Sequence, residues 1–153
     1  MKARRDPLRK EQHRRIGSDL FNYTWTLLDR PRLRPAEVDE MLNAAHASRY
    51  HWGHAGTALN RSIAEWQLSR VYATLGRSEP ALYHGRRALQ IARHDRLGRF
   101  YLAYAYEGMA RASALSGDRR SRARYVRQAR TVGARIRDRA DRERLLADLS
   151  TIR

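Results

Sequence analysis

Three sets of side chains in this sequence have the types and spacing to do chemistry. Arg119, Arg120, Arg122, Arg124, Arg127 and Arg130 fall within one short stretch. At helical spacing Arg120, Arg124 and Arg127 share one face, the kind of surface that holds a polyanion. His46, His51 and His54 form the second set, and imidazoles so placed can ligate zinc. Gly53 stands between two of them and no acidic residue adjoins them to complete an outer shell, so a packing role in a hairpin corner is expected and no metal is assigned. The third set is Arg70 and Arg111, identical residues in a segment that the chain repeats 41 positions later. Guanidinium groups pair with carboxylate and phosphate through two parallel hydrogen bonds.

Other reaction chemistry finds no footing. The sequence has no glycine-rich phosphate loop after a strand, no nucleophile elbow and no carboxylate pair in an evident cleft. Asp39-Glu40 and Glu79 read as helix-surface and first-turn acids. Cysteine is absent, which excludes disulfides, thiol nucleophiles and cysteine–zinc sites. The expectation is therefore a non-enzyme without a cofactor.

The elements that must position these residues follow from punctuation and periodicity, which together predict an all-α chain of seven helices. Asp6-Pro7 opens the first, with Ile16, Leu20, Tyr23 and Leu27 on one stripe and Phe21, Trp25 and Leu28 on another. Pro35 and Glu37 open the second, which is expected to end near Tyr50 before Gly53 and Gly56. The third runs from about Thr57 to Leu75 and stops at Gly76. Ser78 and Pro80 start a fourth that reaches His94, and Leu97-Gly98 forms the next break. The fifth spans about Arg99 to Ser116. Gly117 ends it, and Asp118 caps a sixth with Ala123, Val126, Ala129, Gly133 and Ile136 inward. A last helix from Asp138 carries Leu145, Leu146, Leu149 and Ile152 on one side.

The self-match is the strongest organisational signal. Ala64, Arg70, Ala73, Gly76, Arg86 and Ala88 recur as Ala105, Arg111, Ala114, Gly117, Arg127 and Ala129. A helix, a glycine stop and a second helix, repeated, describes stacked helical hairpins. Leu68, Ser69, Tyr72, Gly76, Ala81 and Ala88 resemble the tetratricopeptide motif, as do Met109, Ala110, Gly117 and Ala129 in the second copy. Small residues there let helix axes approach while large neighbours fill the groove. The period exceeds the family's usual value of about 34, resembling the longer-helix variety found in kinesin light chains and some bacterial regulators. Gly85 and Val126 replace the usual aromatic of the second helix, and Arg122 stands where alanine is expected.

That resemblance implies a short right-handed superhelix in a single domain. Residues 1–52 would form an N-terminal hairpin, 57–94 and 99–136 two repeats, and 138–153 a capping helix. It also implies a concave face built from the first helix of each hairpin, with Ile63, Trp66, Arg70, Thr74, Tyr104, Glu107, Arg111 and Leu115 on it. The expected function is capture of a protein or peptide segment there. Trp66, Arg70, Tyr104, Glu107 and Arg111 are the contact residues, the two arginines forming a clamp for a carboxylate. The competing expectation is that these arginines pair with acids inside the array, Glu107 and Glu65.

Charge supports an acidic partner. The net charge is +16, with thirty arginines against only Lys2 and Lys10. The codon composition of a GC-rich bacterial genome accounts for arginine over lysine but not for the twofold excess of basic over acidic residues. A positive field favours polyanions generally, so a nucleic-acid-associated protein is the alternative, with Arg120, Arg124 and Arg127 as its contact face. Open ends of a short array also admit a self-associating, homo-oligomeric unit. The basic N-terminus leads into no apolar core, and no run approaches a membrane span. No membrane contact and a cytoplasmic location are expected.

Overall fold

A computed structural model describes residues 6–153 and forms helices α1 Lys10–Leu28, α2 Pro35–Ala55, α3 Ala58–Thr74, α4 Ser78–His94, α5 Arg99–Leu115, α6 Arg119–Gly133 and α7 Arg139–Ser150. No strand occurs among the described residues. None of these helices is long and apolar enough to cross a membrane. The chain divides into two compact units, one extending to Thr57 and the other comprising Ala58–Arg153.

The first unit is the α1–α2 hairpin. Its two helices come close where α1 has no side chain: a Cβ on Gly17 would sit 3.1 Å from the Trp52 ring, and Ser48 Oγ donates to the Gly17 carbonyl at 2.7 Å. Two boundaries differ from the sequence reading. Asp6 does not cap α1, which begins at Lys10; Gln12 Oε1 accepts from the Arg9 N–H instead, at 2.9 Å. Asp6 Oδ1 accepts from the Leu8 N–H at 3.0 Å, and its Oδ2 faces the histidines. Gly53 does not end α2, which continues to Ala55. Glycine in a helix costs only about 1 kcal/mol, and the helical hydrogen bonding runs on past Gly53, the Gly56 N–H donating to the Trp52 carbonyl at 2.8 Å.

The second unit arranges α3–α7 so that each helix packs on its successor, and α3 also touches α5. The helix stops come from the backbone. Gly76 and Gly117 adopt φ of 72° and 79°, and the next residues, Arg77 and Asp118, donate their N–H groups five residues back to Tyr72 and Ser113. This closes each helix with the six-to-one bond that a left-handed residue makes possible. The third stop, after α4, uses Arg96 at φ 51°, with Leu97 donating to the Ala92 carbonyl at 3.0 Å. Gly98 is instead the N-cap of α5.

Asp118 caps α6 as expected, accepting from the Ser121 N–H at 2.9 Å, and Asp138 does the same for α7, accepting from the Asp141 N–H at 2.8 Å. The α7 helix lies against α5 and α6, burying Leu145 and Leu149 with Ala103, Tyr104, Ala129 and Ile136. Leu145 occupies the space a side chain on Gly133 would need. Leu146, expected inward, is 50% exposed: it follows Leu145 by one residue and so points about 100° away.

An arginine in the left-handed region carries a steric penalty that glycine does not. Arg96→Gly is expected to stabilise the protein by about 0.5–1 kcal/mol, the relief being partly offset by glycine's greater freedom when unfolded. Urea unfolding of the two proteins checks this.

Candidate functional site

Repeat geometry sets equivalent positions of α3 and α5 side by side, and the result is one shared carboxylate. Glu107 of α5 is fully buried, with 0% of its side chain exposed. Its Oε1 accepts from Arg111 Nε at 2.8 Å, one turn along the same helix, and from Arg70 Nη1 of α3 at 3.3 Å. Its Oε2 accepts from Trp66 Nε1 at 3.2 Å. Trp66 and Glu107 are equivalent positions of the two copies. Gly108 makes room for this contact, since a Cβ there would lie 2.9 Å from Trp66 Cδ1.

Arg111 extends the network to the C-terminal end of α7. Its Nη2 donates to the Asp148 carbonyl and to Thr151 Oγ1, each at 3.0 Å. Tyr104 packs edge-on against Trp66 at 5.4 Å and donates its hydroxyl to Asp148 Oδ2 at 2.9 Å. Burial, then the bond to that carboxylate, pushes the phenol pKa well above its ordinary value, so the hydroxyl stays protonated.

Glu107 and Tyr104, expected as surface contacts, are therefore interior residues, and Trp66 is partly buried against them. Aromatic and acidic side chains beside two arginines satisfy one another before they meet solvent. Arg70 and Arg111 pair with Glu107, but Glu65 does not join them. It is buried toward α4, where His84 Nδ1 and Arg87 Nε lie 2.7 and 2.8 Å from its oxygens.

An open groove of about 430 Å³ lies beside the network, lined by Arg70, Thr74, Arg111, Leu115, Thr151 and Ile152 among others. Arg70 keeps 25% of its side chain in solvent. Three arginines, Arg70, Arg111 and Arg153, line the groove, and the Glu107 carboxylate pairs with the first two, so the wall stays positive. Thr151 and Ile152 lie beyond α7, and no repeat equivalence assigns them to this groove; the sequence places Ile152 only on the apolar side of the last helix.

The polyanion face stands apart from this groove. Arg120, Arg124 and Arg127 are all exposed on α6, with the Arg124 guanidinium over the Tyr125 ring at 4.7 Å.

In the first unit the ring that joins His51 and His54 is His13 of α1, while His46 is exposed. Asp6 Oδ2 lies 3.1 Å from His13 Nε2 and 3.2 Å from His54 Nδ1. His13 Nδ1 and His51 Nδ1 are 2.8 Å apart. Burial, with the neighbouring rings of His13 and His54, holds the His51 pKa below the usual histidine value. Asp6 and His13 escaped the sequence reading because they lie some forty residues before the other two rings and on the opposite arm of the hairpin.

Comparison with protein-family models, curated proteins and solved structures finds no match to this chain.

Removing the Glu107 charge leaves two largely buried guanidiniums without their acid. Glu107→Gln is expected to cost about 3 kcal/mol, measured by chemical unfolding. Arg70→Gln should cost much less, because that side chain can turn to water.

Proposed function

We propose that the second unit is a tetratricopeptide-like interaction module that captures an acidic peptide, holding a carboxylate in the groove beside Arg70 and Arg111. The observation that carries this reading is the unequal sharing of Glu107. Arg111 is fixed by bonds to Glu107, Asp148 and Thr151, whereas Arg70 makes one longer bond and stays partly solvated. A carboxylate in the groove would meet one rigid guanidinium and one that can adjust.

Thr74 and Leu115 support the same reading. The resemblance puts both on the concave face, and both line this groove. They offer a hydroxyl and an apolar contact beside the charge. The contact set accordingly becomes Arg70, Thr74, Arg111 and Leu115, with Trp66, Tyr104 and Glu107 as the frame that holds it.

The test uses labelled acidic peptides ending in a free carboxylate or in an amide, followed by fluorescence anisotropy. Binding is expected for the free carboxylate, with at least a tenfold loss on amidation. Arg70→Gln and Leu115→Asp should each weaken it while leaving the helical circular dichroism intact. Equal binding by wild type and both variants would remove the groove from the function.

A second reading rests on α6. Three exposed arginines on one helical face suit a nucleic-acid backbone read by charge rather than by sequence. It predicts that log affinity for duplex DNA falls linearly with log salt. Neutralising Arg120, Arg124 and Arg127 together should reduce the slope by about 3. A slope unchanged in the triple variant would exclude this face.

A further inference from the structure

The first unit carries a cluster that neither the groove nor the arginine face uses. We propose that Asp6, His13 and His54 form a binding site for a divalent transition-metal ion of the zinc type, with water in the fourth position.

Three features of the geometry support this. The Asp6 oxygen and the nitrogens of His13 and His54 all lie within 4.8 Å of one another. A tetrahedral ion with bonds of about 2.0 Å to nitrogen and oxygen sets its ligands about 3.3 Å apart. The two distances to Asp6 Oδ2, 3.1 and 3.2 Å, are close to that edge. The His13 and His54 planes lie only 12° apart, so chelation requires the exposed His54 ring to turn until its Nδ1 lone pair converges with that of His13 Nε2.

One of the two rings is also held in place. His13 has 3% of its side chain exposed, which fixes it as the rigid ligand. His54 stacks on His13 with ring centres 4.6 Å apart and planes 12° apart, and Tyr50 covers it at 4.6 Å. Because Gly53 does not break α2, His51 and His54 sit one turn apart on the same side of the helix.

An outer shell is present as well. A histidine that binds metal through Nε2 carries its proton on Nδ1 and needs an acceptor there. His13 Nδ1 finds His51 Nδ1 at 2.8 Å. His51 is thus an orienting residue, not a ligand. Imidazole and carboxylate together suit zinc, and copper(II) would bind the same donors more tightly.

The chain's net positive charge opposes any cation. Beyond about 8 Å, however, that field is screened at physiological ionic strength. The nearby Arg14 guanidinium donates to the Ala55 carbonyl at 3.2 Å. Asp6 supplies the negative charge at the site itself.

The experiment titrates the full chain, free of any histidine tag, with zinc chloride against a chromophoric chelator at neutral pH. Cobalt(II) chloride provides a spectroscopic companion. One zinc per chain is expected at micromolar free metal, with four-coordinate cobalt bands in the visible. Asp6→Asn and His54→Ala alter exposed positions and should each lower zinc affinity at least tenfold, as should His51→Phe through the outer shell. His94→Ala, in the second unit, should change nothing. Failure of wild type to take up one equivalent overturns the proposal. So does uptake that survives both Asp6→Asn and His54→Ala, because the zinc would then be held elsewhere.

Discussion

The Glu107 carboxylate is the constraint around which the second unit is organised. A bare carboxylate at that depth would be costly, so it must gather donors from every side. It takes Arg111 from its own helix, and Arg70 and Trp66 from α3. Arg111 in turn anchors the end of α7. One buried charge thus fixes the relation of three helices. Hydrophobic packing alone is tolerant of small sliding, whereas a shared carboxylate has direction and count.

Around that charge the packing follows size. Gly108 admits Trp66, Gly85 sits close under Met109 and Ser69, and Gly133 admits Leu145. At these places a helix surrenders a side chain so that a large neighbour can enter. The glycines at the helix stops serve another purpose, since Gly76 and Gly117 supply positive φ with open space around them. The same residue type answers two physical demands, and only the surroundings distinguish them.

The first unit follows a different logic. Its buried positions on α1 are His13, Gly17, Thr24 and Leu27, of which only Leu27 is a large apolar side chain. Polar groups at such positions must find partners within the hairpin. Thr24 donates to the Leu20 carbonyl, and Ser48 to Gly17. His13 lies between Asp6 and His51. That economy explains why the apolar stripes of α1 predicted its helix but not its inward face.

Helix content and most helix boundaries were legible in the sequence, because capping, glycine stops and spacing act over a few residues. The 41-residue repeat foretold that α3 and α5 would lie together and that Arg70 and Arg111 would converge. It could not assign their state. Whether an arginine meets a ligand or an internal acid depends on burial, a property of all the surrounding helices at once. Tertiary structure decided that Glu107 is interior, that Arg70 is the more adaptable of the pair, and that residues beyond α7 complete the groove. It also brought Asp6 and His13 to His51 and His54. Local rules write the helices; side chains distant in sequence acquire a common chemistry only where the packed chain excludes water and brings them into contact.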